Sequence, residues 1–245
     1  MIKAVVTGHS RGLGAAIAAA LLSRQIPVLG IARNGNAALA LRHADHLQQI
    51  RLDLADPEAL SRWCDSAALT HFLSGCQTVL LINNAGSLQP MGPLHLQDSR
   101  AIVRSCALNV TTPQLLSAAL AHHLPPACTL RILHVSSGAG RHPYPGWSVY
   151  CASKAALDHH ARAVALDADE RVRISALAPG VIDTDMQAEI RNTTVEHFPL
   201  RERFEALHRH GELVAPEAAA ERLVAHLLGD SFGRQPVVDL RELPA

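Results

Sequence analysis

The chain has 245 residues, enough for one large α/β domain or two small ones with a sizeable core. Formal net charge is zero and the pI lies near 7.3, which argues against nucleic acid or an anionic membrane surface as a main partner. Aromatic residues make up only 3% against 48% hydrophobic overall, so the core must be built from aliphatic side chains.

The first predicted element is a buried strand over 2–6, followed by Thr7-Gly8-His9-Ser10-Arg11-Gly12-Leu13-Gly14 and an alanine-rich helix over 15–23. Strand, glycine loop, helix is the setting in which such a loop binds phosphate. Gly8 permits the tight turn, Gly12 lets the backbone approach a pyrophosphate, and Gly14 lets helix and strand pack closely. The helix N-terminus then presents unpaired N–H groups to the anion.

A second strand over 27–32 ends in Arg33-Asn34. An acidic residue near this point accepts the ribose 2′-hydroxyl of NAD, whereas arginine accommodates the 2′-phosphate of NADP. No Asp or Glu stands there, and Arg33 with Arg11 in the glycine loop would suit a phosphate dianion. The expected cofactor is NADP(H).

A short helix near 37–46 leads to a third strand over 49–52, ending at Asp53-Leu54. Asp56 is a plausible N-cap and Pro57 opens a helix running to about 73. The apolar run 78–82 reads as a central parallel strand, buried on both faces, and ends in Asn83-Asn84-Ala85-Gly86. Small polar residues at that end of a strand line the ligand crevice of such sheets.

A helix over 98–122 follows, with Asn109 near its middle. Pro113, four residues later, should kink it there and free backbone groups around Asn109. A fifth strand over 130–135 runs into Ser136-Ser137, a loop with two prolines, and a helix from 148 to about 167. On that helix Tyr150 and Lys154 share one face.

A free tyrosine, with a pKa near about 10, is a poor acid or base at neutral pH. A lysine ammonium beside the ring should favour the phenolate and bring that value down. Ser137 is placed to hydrogen-bond the oxygen that Tyr150 protonates. The three side chains together suit proton transfer to a carbonyl oxygen as hydride reaches its carbon.

The rest of the chain reads as a sixth strand over 172–178 ending in Pro179-Gly180-Val181-Ile182-Asp183-Thr184-Asp185-Met186, a mixed segment over about 185–212 expected to cover the substrate, a helix over 216–228 and a last strand over 236–240. The alternation predicts a single doubly wound domain over 1–245, with about seven parallel strands and helices on both faces.

Five cysteines without CxxC spacing suit reduced thiols and a cytoplasmic location. Cys151 points about a hundred degrees away from Tyr150. The fifteen histidines show no metal-ligand spacing, so no metal is expected. No apolar run approaches the roughly 18 residues of a membrane span, and the first residues lack a signal-peptide layout.

With these motifs in hand, the chain resembles the short-chain dehydrogenase/reductase family over essentially its whole length. The glycine loop, Asn83-Asn84-Ala85-Gly86, Asn109, Ser137, Tyr150-x3-Lys154 and Pro179-Gly180 stand in the family's order, with Ser137 thirteen residues before Tyr150. The resemblance implies a catalytic set of Asn109, Ser137, Tyr150 and Lys154, in which Tyr150 is the acid/base and Asn109 completes a proton relay through water. It implies a cofactor site built from Gly8, Ser10, Arg11, Gly12, Leu13, Gly14, Arg33, Asp53 and Leu54. The same site takes in Asn83, Ala85, Gly86, Tyr150, Lys154, Pro179, Gly180, Ile182, Thr184 and Met186. It also implies a homodimer or homotetramer built on the helices holding Asn109 and Tyr150.

A narrower likeness, carried by Gly146-Trp147-x2-Tyr150-Cys151-x2-Lys154, Asp183-Thr184-Asp185-Met186 and Val238-Asp239, is to the sepiapterin reductases and bacterial benzil reductases. It implies an NADPH-dependent reduction of a vicinal dicarbonyl, with Ser137, Trp147, Tyr150 and Asp239 at the substrate. Asp239 is either an anchor for a pterin guanidino group or the partner of Arg241, and Trp147 is either a pocket wall or a packing residue. A ketoacyl thioester, sugar or steroid substrate, or a nucleotide-sensing role without catalysis, remain alternatives.

Overall fold

The computed structural model describes residues 1–167 and 169–243. Seven strands form one parallel sheet in the order β3-β2-β1-β4-β5-β6-β7. They are β1 (Ile2–Thr7), β2 (Val28–Ala32), β3 (Leu47–Arg51), β4 (Thr78–Asn83), β5 (Thr129–Val135), β6 (Val172–Ala178) and β7 (Val237–Asp239). The central strands are apolar on both faces because helices cover both. On one face α1 (Gly12–Ser23) and α10 (Pro216–Leu228) bury Ile17, Leu21, Leu223 and Leu227 against Val6, Leu80 and Leu133. On the other, Leu60 and Leu69 join Leu116, Leu120 and Ala161 over Val5, Leu81 and Ile132. The order reverses between β1 and β4, and it is there that the carboxyl ends of a parallel sheet open a crevice.

Local chemistry sets most boundaries. Asn36 caps α2 (Ala37–Arg42), and Asp56 caps α3 (Pro57–Cys64) with Pro57 in its first turn. Each such cap stabilises its helix by about 1 kcal/mol. The single helix expected over 57–73 is two, α3 and α4 (Ala67–Leu73). The Ser66 hydroxyl bonds back to the Trp63 carbonyl at 2.6 Å, closing α3 early.

Asp98 caps α5 (Ser99–Cys106), which passes through a π-helical turn, Ala107–Thr111, into α6 (Thr112–His122). The interruption falls where Pro113 has no N–H to give the carbonyl of Asn109. The helix carrying Tyr150 is α7 (Ser148–Val164).

The segment after β6 contains α8 (Asp185–Asn192) and α9 (Arg201–Arg209). Its two ends are clamped together. Ile182 bridges Val214 in parallel, with the Asp183 N–H on the Val214 carbonyl and the Val214 N–H on the Val181 carbonyl, both at 2.9 Å. Among the described residues no helix is long and apolar enough to cross a membrane.

Candidate active site

One cleft of about 900 Å³ runs across the carboxyl ends of the strands. Its floor at the β1–β4 junction is stitched by Thr7. The Thr7 hydroxyl accepts the N–H groups of Asn84 and Ala85 at 2.9 and 3.0 Å, and the Asn84 side chain donates to the Thr7 carbonyl at 3.0 Å. Gly8 turns with φ +72°, and a Cβ at Gly14 would run into the Gly8 carbonyl and the Asn84 amide. Helix α1 starts behind Arg11 with no side chain capping it. Its first N–H groups face the cleft, an arrangement that fits a pyrophosphate.

The cleft reaches Ser10, Arg11, Gly12 and Leu13 on this side, then Arg33, Asp53 and Leu54 at the ends of β2 and β3. Arg11 forms an exposed pair with Asp185 at 2.8 Å. Asp53 pairs with Arg104 at 3.0 Å, and its carboxyl is held below the usual range against the cost of partial burial by the Ala55 N–H and the Arg104 guanidinium, with Arg33 adding to the effect. The fit to a dinucleotide is therefore one of backbone donors and the Arg33 guanidinium at the second strand end.

One expected cofactor residue lies elsewhere. β4 continues through Asn83, so strand alternation turns its side chain toward α6. There it contacts His134 Nδ1 at 3.1 Å and is 3% exposed. Asn84, one residue on, lines the cleft instead, beside Ala85 and Gly86. Its signal was present in the sequence, since the two asparagines are adjacent and only the strand's exact end separates their roles.

Lys154 is 5% exposed, and its ammonium donates to the Val135 carbonyl at 2.8 Å while lying 5.6 Å from the centre of the Tyr150 ring. Ser137 ends β5's extension close enough to Tyr150 to act on its phenol. Its hydroxyl also accepts the Ala139 N–H at 3.2 Å. The expected lowering of the Tyr150 pKa is not what the bare protein has. Burial among apolar rings pushes the phenol up to about 12, with the nearby Ser137 hydroxyl opposing. Burial also brings Lys154 down to about 8, with Asp158 opposing. At neutral pH the phenol is protonated and the amine charged. Burial raises the Cys151 thiol as well.

Asn109 is fully buried, and its side chain is a clamp. Oδ1 accepts the Ser87 N–H at 2.9 Å, and Nδ2 donates to the Ser87 carbonyl at 2.8 Å and to Ser153 Oγ at 3.3 Å. It thereby joins the loop after β4 to α7. Its backbone carbonyl lies in the π-helical turn, where Pro113 has no N–H to give it.

Of the two Trp, two Tyr and four Phe in the chain, five gather at one end of the cleft. Trp147 stacks on Phe198 with centroids 4.4 Å apart, and meets Tyr150 edge-on at 5.3 Å and Tyr144 and Phe204 at 5.5 Å. It is both packed and part of the cleft wall. Phe198 and Phe204 come from the 185–212 segment, so that segment closes this end. Pro179, Gly180, Ile182, Thr184 and Met186 line the passage between the two halves.

At Asp239 the structure holds the ion pair. Arg241 grips it through Nε at 2.9 Å and Nη2 at 2.7 Å, Arg141 stands 3.8 Å away, and Arg241 rather than Asp239 borders the cleft.

A family model described as short chain dehydrogenase matches residues 3–195. The chain is 34% identical over 245 residues to a benzil reductase ((S)-benzoin forming) of Bacillus cereus, covering 97% of this chain and 98% of that one. It is 33% identical over 249 residues to the sepiapterin reductase of Meriones unguiculatus, covering 96% and 94%. A crystal structure of a short-chain dehydrogenase/reductase from Burkholderia vietnamiensis is 44% identical, with a TM-score of 0.73 over 99% of this chain and 98% of that one.

Proposed function

The chain belongs to the short-chain dehydrogenase family, and we propose that within it the protein is an NADPH-dependent carbonyl reductase acting on an aryl vicinal dicarbonyl. The observation that carries this reading is the Ser137–Tyr150–Lys154 set lying directly under the aromatic wall of Trp147. A flat aryl ketone can lie against that wall. The Bacillus relative's name, benzil reductase, supports the same substrate class. The engagement of Asp239 by Arg241 and Arg141 weighs against its use as a pterin anchor.

The glycine loop would hold the pyrophosphate, and Arg33 the 2′-phosphate. Bound there, the dihydronicotinamide supplies the hydride. Ser137 donates a hydrogen bond to the substrate oxygen and fixes it at Tyr150. Tyr150, protonated at neutral pH, delivers its proton to that oxygen as negative charge develops on it. Lys154 stabilises the phenolate left behind. The Asn109 carbonyl offers a water an acceptor on the path by which Tyr150 is reprotonated. Phe198 and Phe204 keep bulk water out of the reacting end.

The same reading makes the protein a cytoplasmic homodimer or homotetramer joined along α7 and the α5–α6 run that holds Asn109. Val103, 69% exposed on α5, supports such a contact. The test of substrate class is NADPH consumption with benzil, 1-phenylpropane-1,2-dione, sepiapterin and a ketoacyl thioester side by side. Turnover of the first two should lead. Turnover of the thioester alone would replace the assignment.

A further inference from the structure

Asp158 lies one helical turn beyond Lys154 on α7, and its side chain is 2% exposed. A carboxylate this deep needs partners, and it has two. Oδ1 accepts the Ser136 hydroxyl at 2.5 Å, and Oδ2 faces Arg141 Nε at 3.3 Å. Ser136 and Arg141 bracket Ser137 and the tight turn Gly138–Gly140. The turn lies directly on α7, since a Cβ at Gly140 would be 2.9 Å from the Lys154 carbonyl carbon and 3.1 Å from Asp158 Oδ2. Arg141 continues outward, donating to the Val238 carbonyl at 2.8 Å. One carboxylate thus ties both ends of the loop that carries Ser137 to the helix that carries Tyr150 and Lys154.

We propose that Asp158 is a positioning residue for the reduction, its carboxylate fixing Ser137 through Ser136 and Arg141 and supplying the counter-charge for the Lys154 ammonium. The proposal rests on the reading of Tyr150 and Lys154 as the reacting pair. The titratable and charged groups around Lys154 are Tyr150 and Asp158 on its own helix, His134 from β5, and Arg141 across Asp158. Burial keeps His134 neutral, and the protonated phenol is neutral too. That leaves Asp158 as the anion opposing the desolvation of the amine. A buried ion pair is poor support for stability, and an apolar pair of similar volume would hold the turn as well. Its chemical value is the charge state of its neighbour.

The chain has two lysines, Lys3 and Lys154, so side-chain carbon NMR resolves each titration in the protein without cofactor, with Lys3→Arg making the assignment. Asp158→Asn should lower the Lys154 midpoint by about one pH unit. Should that variant fail to fold with Arg141 left unpaired, Asp158→Asn combined with Arg141→Gln removes both charges and should also lower the midpoint. An unchanged or raised midpoint overturns the proposal, because mere loosening admits water and moves the amine toward its ordinary value. Ser136→Ala should leave the midpoint in place and lower kcat for a dione about tenfold with NADPH affinity unchanged. Unaltered kcat in that variant would overturn the tether to Ser137. The lysine titration is read without turnover, so its failure and the failure of the reductase assignment are separable.

Discussion

Phe198 lies flat against Trp147, with ring centroids 4.4 Å apart and planes within 13° of parallel, although 51 residues separate them in the chain. The stack ties the segment between β6 and α10 to the turn that precedes α7. Its geometry predicts a specificity effect distinct from a folding effect. Phe198→Leu keeps most of the volume and removes the stacked face, worth about 1 kcal/mol. The KM for benzil should rise about fivefold, while a small aliphatic dione such as 2,3-butanedione responds little. Parallel steady-state kinetics with the two substrates check it, and equal effects on both would show that the stack behind Trp147 does not shape the substrate wall.

Tyr150→Phe deletes one oxygen and leaves the ring in its packing against Trp147. Loss of the proton donor should lower kcat by at least about a thousandfold. NADPH affinity, followed by the enhancement of its fluorescence on binding, should stay within about threefold. Substantial turnover in this variant would remove Tyr150 as the acid.

Arg33 borders the cleft, and its charge acts on Asp53, so it is the cation at the second strand end. Arg33→Ala should raise the KM for NADPH by about tenfold or more, as expected for the loss of a charge-assisted contact to a phosphate. The KM for NADH should move little. If both change together, the 2′-phosphate lies elsewhere, and the exposed Arg11–Asp185 pair becomes the place to look.

His134 is wholly buried between Asn83 and His160, at 3.1 and 3.0 Å, and burial brings its pKa down to about 3. The unfolded chain protonates this ring near about 6.5 and the folded protein does not. Between those values the unfolded state binds the extra proton, so stability falls as pH drops from about 6.5 toward 3. Thermal melts over that range should show a steep acid limb. His134→Gln should start from a lower Tm at pH 7 and show a shallower limb. An identical slope in the variant would assign the acid limb to other groups.

Features governed by local chemistry were legible in the sequence. The caps Asn36, Asp56 and Asp98, the helical break before Pro113 and the register of Tyr150 over Lys154 each depend on residues a few positions apart. What the sequence did not disclose depends on contacts across the chain. Whether Asn83 or Asn84 faces the cleft turns on where β4 stops pairing with β5. That Arg241 and Arg141 both reach Asp239 requires β7 beside the loop after β5. The direction of the Tyr150 shift is not legible in the sequence for a physical reason. Spacing revealed the amine four residues away but not the cluster of Trp147, Phe198 and Phe204 in which the ring is buried, and desolvation outweighs the lowering effect of Ser137.

The paired ends of the 181–214 stretch make α8 and α9 a unit attached at a single stem. The seven-stranded sheet draws none of its strand pairing from it, and the glycine loop meets it at the exposed Arg11–Asp185 pair. Grafting a differently shaped excursion between Met186 and Val214, which keeps Thr184, Asp185 and Met186 in place, should therefore leave coenzyme affinity intact while redirecting which ketones are accepted. The molecule is organised as a constant redox engine with an exchangeable mouth.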